Sequence, residues 1–214
     1  MEVVIAGGHG KIALHLERVL ADSGHRVRAL IRHRDQDSDV REAGAEPVLC
    51  DLEQEDDLSH YVSGADAVVF AAGAGPGSGP ERKRTVDLGG ALKLIDACRR
   101  TGVRRYVIVS SIGADNPAAG PEQMRPYLEA KAEADERLAE SGLDWTIVRP
   151  GSLTDSPGTG RVTVTTDMSV RGDVPREDVA RVLAAALGDP GTIGATFVVV
   201  AGDTPVDEAV ASLA

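Results

Sequence analysis

The most informative stretch of this 214-residue chain is Val3-Val4-Ile5-Ala6-Gly7-Gly8-His9-Gly10-Lys11-Ile12-Ala13. A β-branched run ends in two glycines, a third glycine follows, and apolar residues then recur at helical spacing. The pattern predicts a strand, a tight turn and a helix. A helix that begins at such a turn presents unpaired backbone N–H groups and the positive end of its dipole, and both favour a phosphate ester.

The spacing of the small residues, G-x-x-G-x-x-A, is related to the dinucleotide-binding fingerprint. Gly7 can adopt backbone angles closed to other residues, Gly10 lets the main chain approach a pyrophosphate, and Ala13 allows close packing of helix on strand. The same glycines would also suit a plain tight connection. The context favours a nucleotide site, because residues 26–32 predict a second strand at the distance expected of a βαβ unit.

The end of the second strand carries basic side chains: Arg32, His33 and Arg34. In dinucleotide folds a carboxylate at this place binds the 2′-hydroxyl of NAD. Guanidinium groups instead suit a 2′-phosphate, which they grip in a bidentate way. The sequence therefore predicts NADP(H) rather than NAD(H), with Arg32 as the main contact; an exposed basic strand end is the alternative.

Four further sheet strands are predicted, over residues 47–52, 67–73, 106–109 and the region of Trp145 and Ile147. The third strand ends in Asp51, whose carboxylate either meets the adenine amino group or begins a helix. The fourth is apolar on both faces, as a central parallel strand should be, and its small final residues leave room for a dinucleotide: Ala71, Ala72 and Gly73. The fifth ends in Ser110 and Ser111.

Helical patterns separate these strands, including a long one over residues 81–100, and another strand and two helices are predicted at 196–200, 175–187 and 206–213. The alternation predicts an α/β fold, a single Rossmann-like doubly wound domain over residues 1–214 with a mostly parallel sheet and helices on both faces. A small C-terminal portion, about 151–214, is expected to cap the substrate. Ligands of such sheets lie beyond the carboxyl ends of the strands.

The composition argues against several classes of function. With 23 basic and 34 acidic side chains the net charge is −11, which disfavours nucleic acids and anionic membranes. We interpret the basic cluster Arg99, Arg100, Arg104 and Arg105 as a solvated helix end, and the acidic run from Glu53 to Asp57 as the first turn of a helix. No leader, membrane span or metal-ligand spacing is expected, and two cysteines, Cys50 and Cys98, fit burial in a reducing, cytoplasmic environment.

A candidate proton-transfer pair follows Pro126, which suits the first turn of a helix. Tyr127 and Lys131 are four residues apart and project from one helical face. A neighbouring ammonium favours the phenolate, so the pair can exchange a proton with a substrate oxygen while hydride moves at a nicotinamide. Ser111 could hydrogen-bond the same oxygen. A chance helical spacing is the alternative.

The chain resembles atypical short-chain dehydrogenase/reductases related to the NAD(P)-dependent epimerase/dehydratases and to NmrA-like and biliverdin-reductase-B-like proteins. The resemblance rests on residues 7–13, Arg32, Asp51-Leu52, 71–73, Ser110-Ser111, 127–131 and Val148-Arg149-Pro150-Gly151. It implies that Ser111, Tyr127 and Lys131 are catalytic and that residues 150–153 line the nicotinamide. Together with the residues predicted from the motifs above, the resemblance gives a cofactor-binding set of Gly7, Gly8, His9, Gly10, Lys11, Ile12, Arg32, His33, Asp51, Leu52, Ala71, Ala72, Gly73, Ser110, Lys131, Pro150, Gly151, Ser152 and Leu153.

Two departures from that family matter. Asp87 stands where the catalytic set usually has asparagine, so it either pairs with Lys131 or solvates the helix. The chain also leaves little length after Arg149 for the separate substrate domain of epimerases and dehydratases. Substrate is therefore expected to be held by three loops, at residues 75–80, 115–122 and 155–161.

Three functions follow. The first is an NADP(H)-dependent oxidoreductase that transfers hydride between nicotinamide and a small carbonyl, alcohol or quinone-like substrate, with Asp87 joining the catalytic set. The second is a non-catalytic NADP(H) sensor that binds a protein partner, as NmrA-like proteins suggest. The third is a sugar-nucleotide epimerase or dehydratase. A small-molecule substrate, no nucleic acid, no membrane and a monomer or homodimer are expected.

Overall fold

The computed structural model describes residues 1–75 and 77–213. Its strands are Glu2–Ala6 (β1), Arg26–Ile31 (β2), Glu46–Leu49 (β3), Ala67–Phe70 (β4), Arg105–Val109 (β5), Asp144–Pro150 (β6), Ser152–Thr154 (β7), Arg161–Thr165 (β8), Asp173–Pro175 (β9), Ala195–Ala201 (β10) and Thr204–Pro205 (β11). Most of these segments are rich in β-branched residues, which favour the extended backbone.

Nine of the described strands form one sheet in the order β11-β8-β10-β6-β5-β4-β1-β2-β3. The strands from β3 to β10 along this order are parallel, whereas β8 and β11 are antiparallel additions at one edge. The chain leaves β1 towards β2 and β3, then returns to place β4 on the other side of β1. A crevice at the carboxyl ends of β1 and β4 is the expected ligand site of such a sheet.

Helices cover both faces of the sheet, as predicted. The α-helices of the described chain are Lys11–Asp22 (α1), Asp37–Glu42 (α2), Ser59–Val62 (α3), Pro80–Arg82 (α4), Ala91–Thr101 (α5), Arg125–Ala139 (α6), Arg176–Gly188 (α7) and Val206–Ala211 (α8). One apolar core lies under α1, α7 and α8, and the other lies under α3, α5 and α6. The doubly wound α/β prediction is therefore confirmed.

The predicted helix over residues 81–100 contains a π-helical segment, Lys83–Gly90, between α4 and α5. Wider turns of this kind interrupt α-helices most often near functional sites. Here the segment buries Val86, Asp87 and Leu88 in succession. A Cβ atom on Gly90 would lie 3.4 Å from the ring of Phe70, so this segment packs directly on the end of β4.

The acidic run does not form the first turn of a helix, and that interpretation is wrong. Helix α3 begins only at Ser59, and the preceding residues form turns. The Asp51 carboxylate accepts a hydrogen bond from the amide of Glu53 (3.0 Å). The Lys93 ammonium donates hydrogen bonds to the carbonyl oxygens of Leu52, Glu53 and Glu55 (2.9, 3.3 and 2.6 Å). Because the Lys93 ammonium binds three carbonyl oxygens of this segment, those carbonyls need no helical hydrogen bonds.

Arg105 also differs from its prediction as part of a solvated helix end. It lies in β5 and its half-buried guanidinium donates to the carbonyl oxygens of Asp144 and Ala186 and to the hydroxyl of Thr192. Burial lowers the pKa of Arg105, although the negative charges of Asp144 and Asp189 act to raise it. Arg105 therefore ties β5 to the end of α7.

The C-terminal portion contributes more than a cap. It supplies β8, β10 and β11 to the main sheet and α7 to one core, whereas only β7 and β9 form a separate two-stranded ladder. The apolar residues of the C-terminal portion are therefore part of the core of the domain. Cys50 and Cys98 are free and buried, and burial raises the pKa of both thiols to about 12.

Within the described ranges, no helix has both the length and the apolar character needed to traverse a lipid bilayer.

Candidate active site

The glycine turn after β1 fits tightly between the ends of β2 and β4. Gly7 has φ +84°, and a Cβ atom there would lie 2.5 Å from the Cα of Ala72. A Cβ atom on Gly8 would lie 2.5 Å from the Cβ of Ala29. Gly8 therefore provides close packing against β2, while Gly7 provides both the left-handed backbone and the approach to β4.

The first turn of α1 has free backbone donors. Its N-cap is Gly10, which supplies no capping side chain, and the amides of Lys11, Ile12 and Ala13 have no acceptor within the described part of the chain. The helix N-terminus and its dipole face the mouth of the glycine turn. This arrangement suits a diphosphate and requires no charged side chain.

A cavity of about 250 Å³ opens beside this turn, between the carboxyl ends of the strands. It brings together many of the residues predicted for the cofactor, namely Gly7, His9, Gly10, Arg32, Asp51, Leu52, Ala71, Ala72 and Gly73. It also includes eight residues that are absent from the predicted cofactor-binding set, namely Leu30, Ile31, Gln36, Cys50, Glu53, Ala74, Arg82 and Val86. None of the eight belongs to the glycine fingerprint, so no local signal in the sequence identifies them as site residues.

The basic end of this cavity is already ordered by side-chain contacts. Arg32 donates from Nε to Nε2 of His33 (2.9 Å), and its Nη1 lies 3.8 Å from the Glu53 carboxylate. Arg82 donates from Nε to the same carboxylate (3.2 Å). His9 lies 2.8 Å from Asp39, and this hydrogen bond lowers the pKa of the Asp39 carboxyl.

The predicted proton-transfer residues lie on the other side of β4. Tyr127 and Lys131 share one face of α6, with the Lys131 ammonium 5.8 Å from the centre of the Tyr127 ring. That ammonium lies 3.3 Å from the Asp87 carboxylate and donates to the carbonyl oxygen of Val109 (3.0 Å). The structure thus answers the question left by the sequence, because Asp87 pairs with Lys131.

Both members of this pair are removed from water. Lys131 is 3% exposed and Asp87 is fully buried, with its second oxygen accepting the amide of Ala74 (3.0 Å). Burial would lower the pKa of Lys131, but the charges of Tyr127, Asp87 and Asp135 outweigh it and raise that pKa. Lys131 is therefore a fixed cation beside the phenol.

The two serines at the end of β5 have different surroundings. Ser110 is buried and donates to Asp135 (2.7 Å), which also accepts two hydrogen bonds from Arg149 (3.1 and 2.9 Å). Burial raises the pKa of Asp135, and Ser110 and Arg149 oppose the shift. Ser111 is half-buried and donates to the carbonyl oxygen of Ile112 (3.1 Å), so it is the more accessible hydroxyl.

The segment after β6 passes close to the start of α1. A Cβ atom on Gly151 would collide with the carbonyl oxygen of Gly172, so this close contact requires glycine. Asp155 accepts hydrogen bonds from Lys11 (2.5 Å) and Arg176 (2.6 Å), which joins the capping loop to the starts of α1 and α7. The Lys11 side chain therefore faces the loop, while its amide stays free at the helix N-terminus.

No cluster of three or more histidine, cysteine or acidic residues suited to a metal occurs in residues 1–75 and 77–213. The candidate site consists of a glycine turn with unpaired amides, a pocket lined by arginines, and a buried lysine next to a tyrosine. The NAD(P)H-binding family model matches residues 7–190, which include all three parts.

The chain belongs to the NAD(P)H-binding family. The uncharacterized sugar epimerase YhfK of Bacillus subtilis is 38% identical over the full length of both chains. A Bacillus halodurans structure, provisionally described as an NAD-dependent epimerase/dehydratase, is 42% identical with a TM-score of 0.94 over 99% of each chain. The Lactococcus lactis oxidoreductase ylbE is 27% identical with a TM-score of 0.88, covering 100% of this chain and 96% of its own.

These findings confirm the resemblance to NAD(P)-binding proteins of the epimerase/dehydratase-like and oxidoreductase-like kind. Membership of the NAD(P)H-binding family also agrees with the geometry of this chain. The glycine cradle that a Cβ would fill and the three unpaired amides of α1 fit a dinucleotide diphosphate. The individual contacts of the predicted site residues remain predictions.

Proposed function

We propose that this protein is an NADP(H)-dependent oxidoreductase that acts on a small carbonyl, alcohol or quinone-like substrate. The observation that carries the proposal is that two chemically different groups lie at the carboxyl-end edge of the same parallel sheet. Free amides at the start of α1 suit the diphosphate, and the buried Lys131 with Tyr127 lies at the carboxyl ends of the next strands. Arg32 would bind the 2′-phosphate, and Asp51 would meet the adenine amino group.

When it is bound, the nicotinamide supplies or accepts the hydride. Tyr127 would give a proton to the substrate oxygen, or take one in the reverse direction. Lys131 would favour the phenolate through its fixed charge, and Asp87 would hold Lys131 in place at 3.3 Å. Ser111 would turn its hydroxyl from Ile112 to the substrate oxygen. The substrate is a small molecule held by the surrounding loops, and the buried free cysteines suit a cytoplasmic protein.

A second candidate is a nucleotide sensor without turnover. The specific observation in its favour is that Lys131 is 3% exposed and already contacts Asp87 and the Val109 carbonyl. In this arrangement the lysine has little freedom to bind a ribose hydroxyl. A sensor would bind the nucleotide but would convert none of the substrates in a test panel.

The replacement Tyr127→Phe tests the enzymatic proposal. It removes the proton donor and keeps the ring, so the affinity for NADPH should stay within about twofold while turnover falls by at least about 100-fold. We would measure NADPH oxidation against carbonyl compounds and quinones, and epimerisation of sugar nucleotides in parallel. Wild-type activity in Tyr127→Phe would contradict the assignment; tight NADPH binding with no reaction on any substrate would favour the sensor.

A further inference from the structure

Glu53 is the unexpected charge at the basic end of the cavity. Its carboxylate accepts hydrogen bonds from Arg82 Nε (3.2 Å) and from the Thr85 hydroxyl (2.7 Å). Arg32 Nη1 lies 3.8 Å away, so an arginine just after β2 and an arginine of α4 converge on one acid. Glu53, Arg32 and Arg82 all line the cavity.

The backbone of Glu53 is held firmly in this position. Its amide donates to the Asp51 carboxylate (3.0 Å), and its carbonyl oxygen lies 3.3 Å from the Lys93 ammonium. The same ammonium binds the carbonyls of Leu52 and Glu55 (2.9 and 2.6 Å). These contacts fix the backbone from which the Glu53 carboxylate reaches the arginines.

A carboxylate and a phosphate are alternative partners for the same guanidinium groups. A 2′-phosphate that enters between Arg32 and Arg82 gains their charge but meets the negative charge of Glu53. A free 2′-hydroxyl carries no charge and can donate a hydrogen bond to that carboxylate. Glu53 therefore disfavours nucleotides that carry a 2′-phosphate and favours nucleotides that carry a free 2′-hydroxyl.

We propose that Glu53 and Arg82 act in opposition as specificity-determining residues for the adenosine 2′ position. Arg82 favours nucleotides that carry a 2′-phosphate, and Glu53 limits that preference. The inference rests on the proposed dinucleotide site, but it concerns the change in discrimination on substitution and not which cofactor the wild-type protein prefers.

Titration calorimetry with adenosine 2′,5′-bisphosphate and 5′-AMP isolates the 2′-phosphate, because these two probes differ only in that group. Glu53→Gln removes the charge and keeps an oxygen for Thr85. We expect the ratio of the AMP Kd to the bisphosphate Kd to rise by about tenfold, the range expected of charge-assisted contacts. NADH and NADPH should show the same change.

Glu55→Gln is the matched control, because Glu55 carries the same charge two residues away and bonds to Tyr61 (3.0 Å) outside the cavity lining. It should change the ratio by less than about threefold, since only the screened long-range field differs. Arg82→Gln should lower the ratio by about tenfold, and Arg84→Gln, which loses an exposed contact to Glu133, should not.

The outcomes separate this inference from the proposed function. If Glu53→Gln leaves the ratio unchanged or lowers it, Glu53 does not oppose the phosphate and the inference is overturned, even where the wild-type protein oxidises NADPH. If the wild-type protein prefers NADH but Glu53→Gln shifts the ratio as expected, the inference holds and the NADP(H) preference fails. If no nucleotide binds to the wild-type protein, both fail.

Discussion

At the residue scale, the buried pair of Asp87 and Lys131 is the clearest departure from the asparagine usual in related catalytic sets. Asp87→Ala should lower the free energy of unfolding by about 3–5 kcal/mol, because it leaves the buried ammonium without its nearest anion. Asp87→Asn should lower it less, since the amide can still accept from Ala74. Urea denaturation of the three proteins measures both effects.

The control for this prediction is an exposed ion pair. Glu133 lies 3.7 Å from Arg84 with more than a third of its side chain exposed, so Glu133→Gln should change the unfolding free energy by less than about 1 kcal/mol. Equal effects of Asp87→Ala and Glu133→Gln would mean that the buried pair does not hold Lys131 in its charged form.

Glu17 is a second buried acid with an expected pH signature. It lies on α1, has no exposed surface, and neither carboxylate oxygen has a hydrogen-bond partner in the described residues. Burial raises its pKa from the ordinary 4.5 to about 8, against the weaker effect of Arg18. The folded protein therefore holds a proton that the unfolded chain releases above pH 4.5.

The sign of the linkage follows directly. The contribution of Glu17 to stability is fully present below pH 4.5 and is lost as the pH rises towards 8, by up to about 1.4 kcal/mol per pH unit. Glu17→Gln should remove this dependence, so its unfolding free energy relative to wild type should increase between pH 5 and pH 8. A difference that stays constant with pH would show that Glu17 titrates normally.

At the scale of elements, the turn between β1 and α1 sets the geometry of the site. Gly7→Ala should abolish NADPH binding, because the left-handed backbone is strained and the new Cβ has no room beside Ala72. Gly24→Ala imposes the same backbone strain at φ +77°, but its new Cβ would have no atom within 4 Å, so this variant should still bind NADPH. Fluorescence titration with NADPH compares the two; equal binding in both variants would contradict a tight fit at Gly7.

The sequence was sufficient to predict the elements that depend on local periodicity. The strands β1, β2, β4, β5 and β6 and the helix α1 occur where the sequence patterns predicted them, and α6 includes the helix predicted from Pro126. The π-helical segment, the small β7–β9 ladder and the turn before α3 were not predicted. Each depends on contacts with a distant part of the chain; the turn at Glu53, for example, depends on Lys93. Local sequence patterns do not indicate such contacts.

At the scale of the whole molecule, the strand order places the glycine turn, Arg32 and Ala72 at one edge, as the alternation of strands and helices predicted. The charge pairs within the site could not be read in the same way. Glu53 and Arg82 are 29 residues apart, and Lys11 and Asp155 are 144 apart. The fold is thus specified by local rules, and the electrostatics of the site by contacts between distant segments.

The most direct test of the account is calorimetric titration of the purified protein with NADPH and with NADH. Free amides at Lys11, Ile12 and Ala13 beside a glycine cradle predict one nucleotide bound per chain. Saturation at 100 times Kd should also stabilise the fold by about 2.7 kcal/mol. The absence of binding for both nucleotides by a folded protein would contradict the claim that this turn binds a dinucleotide diphosphate.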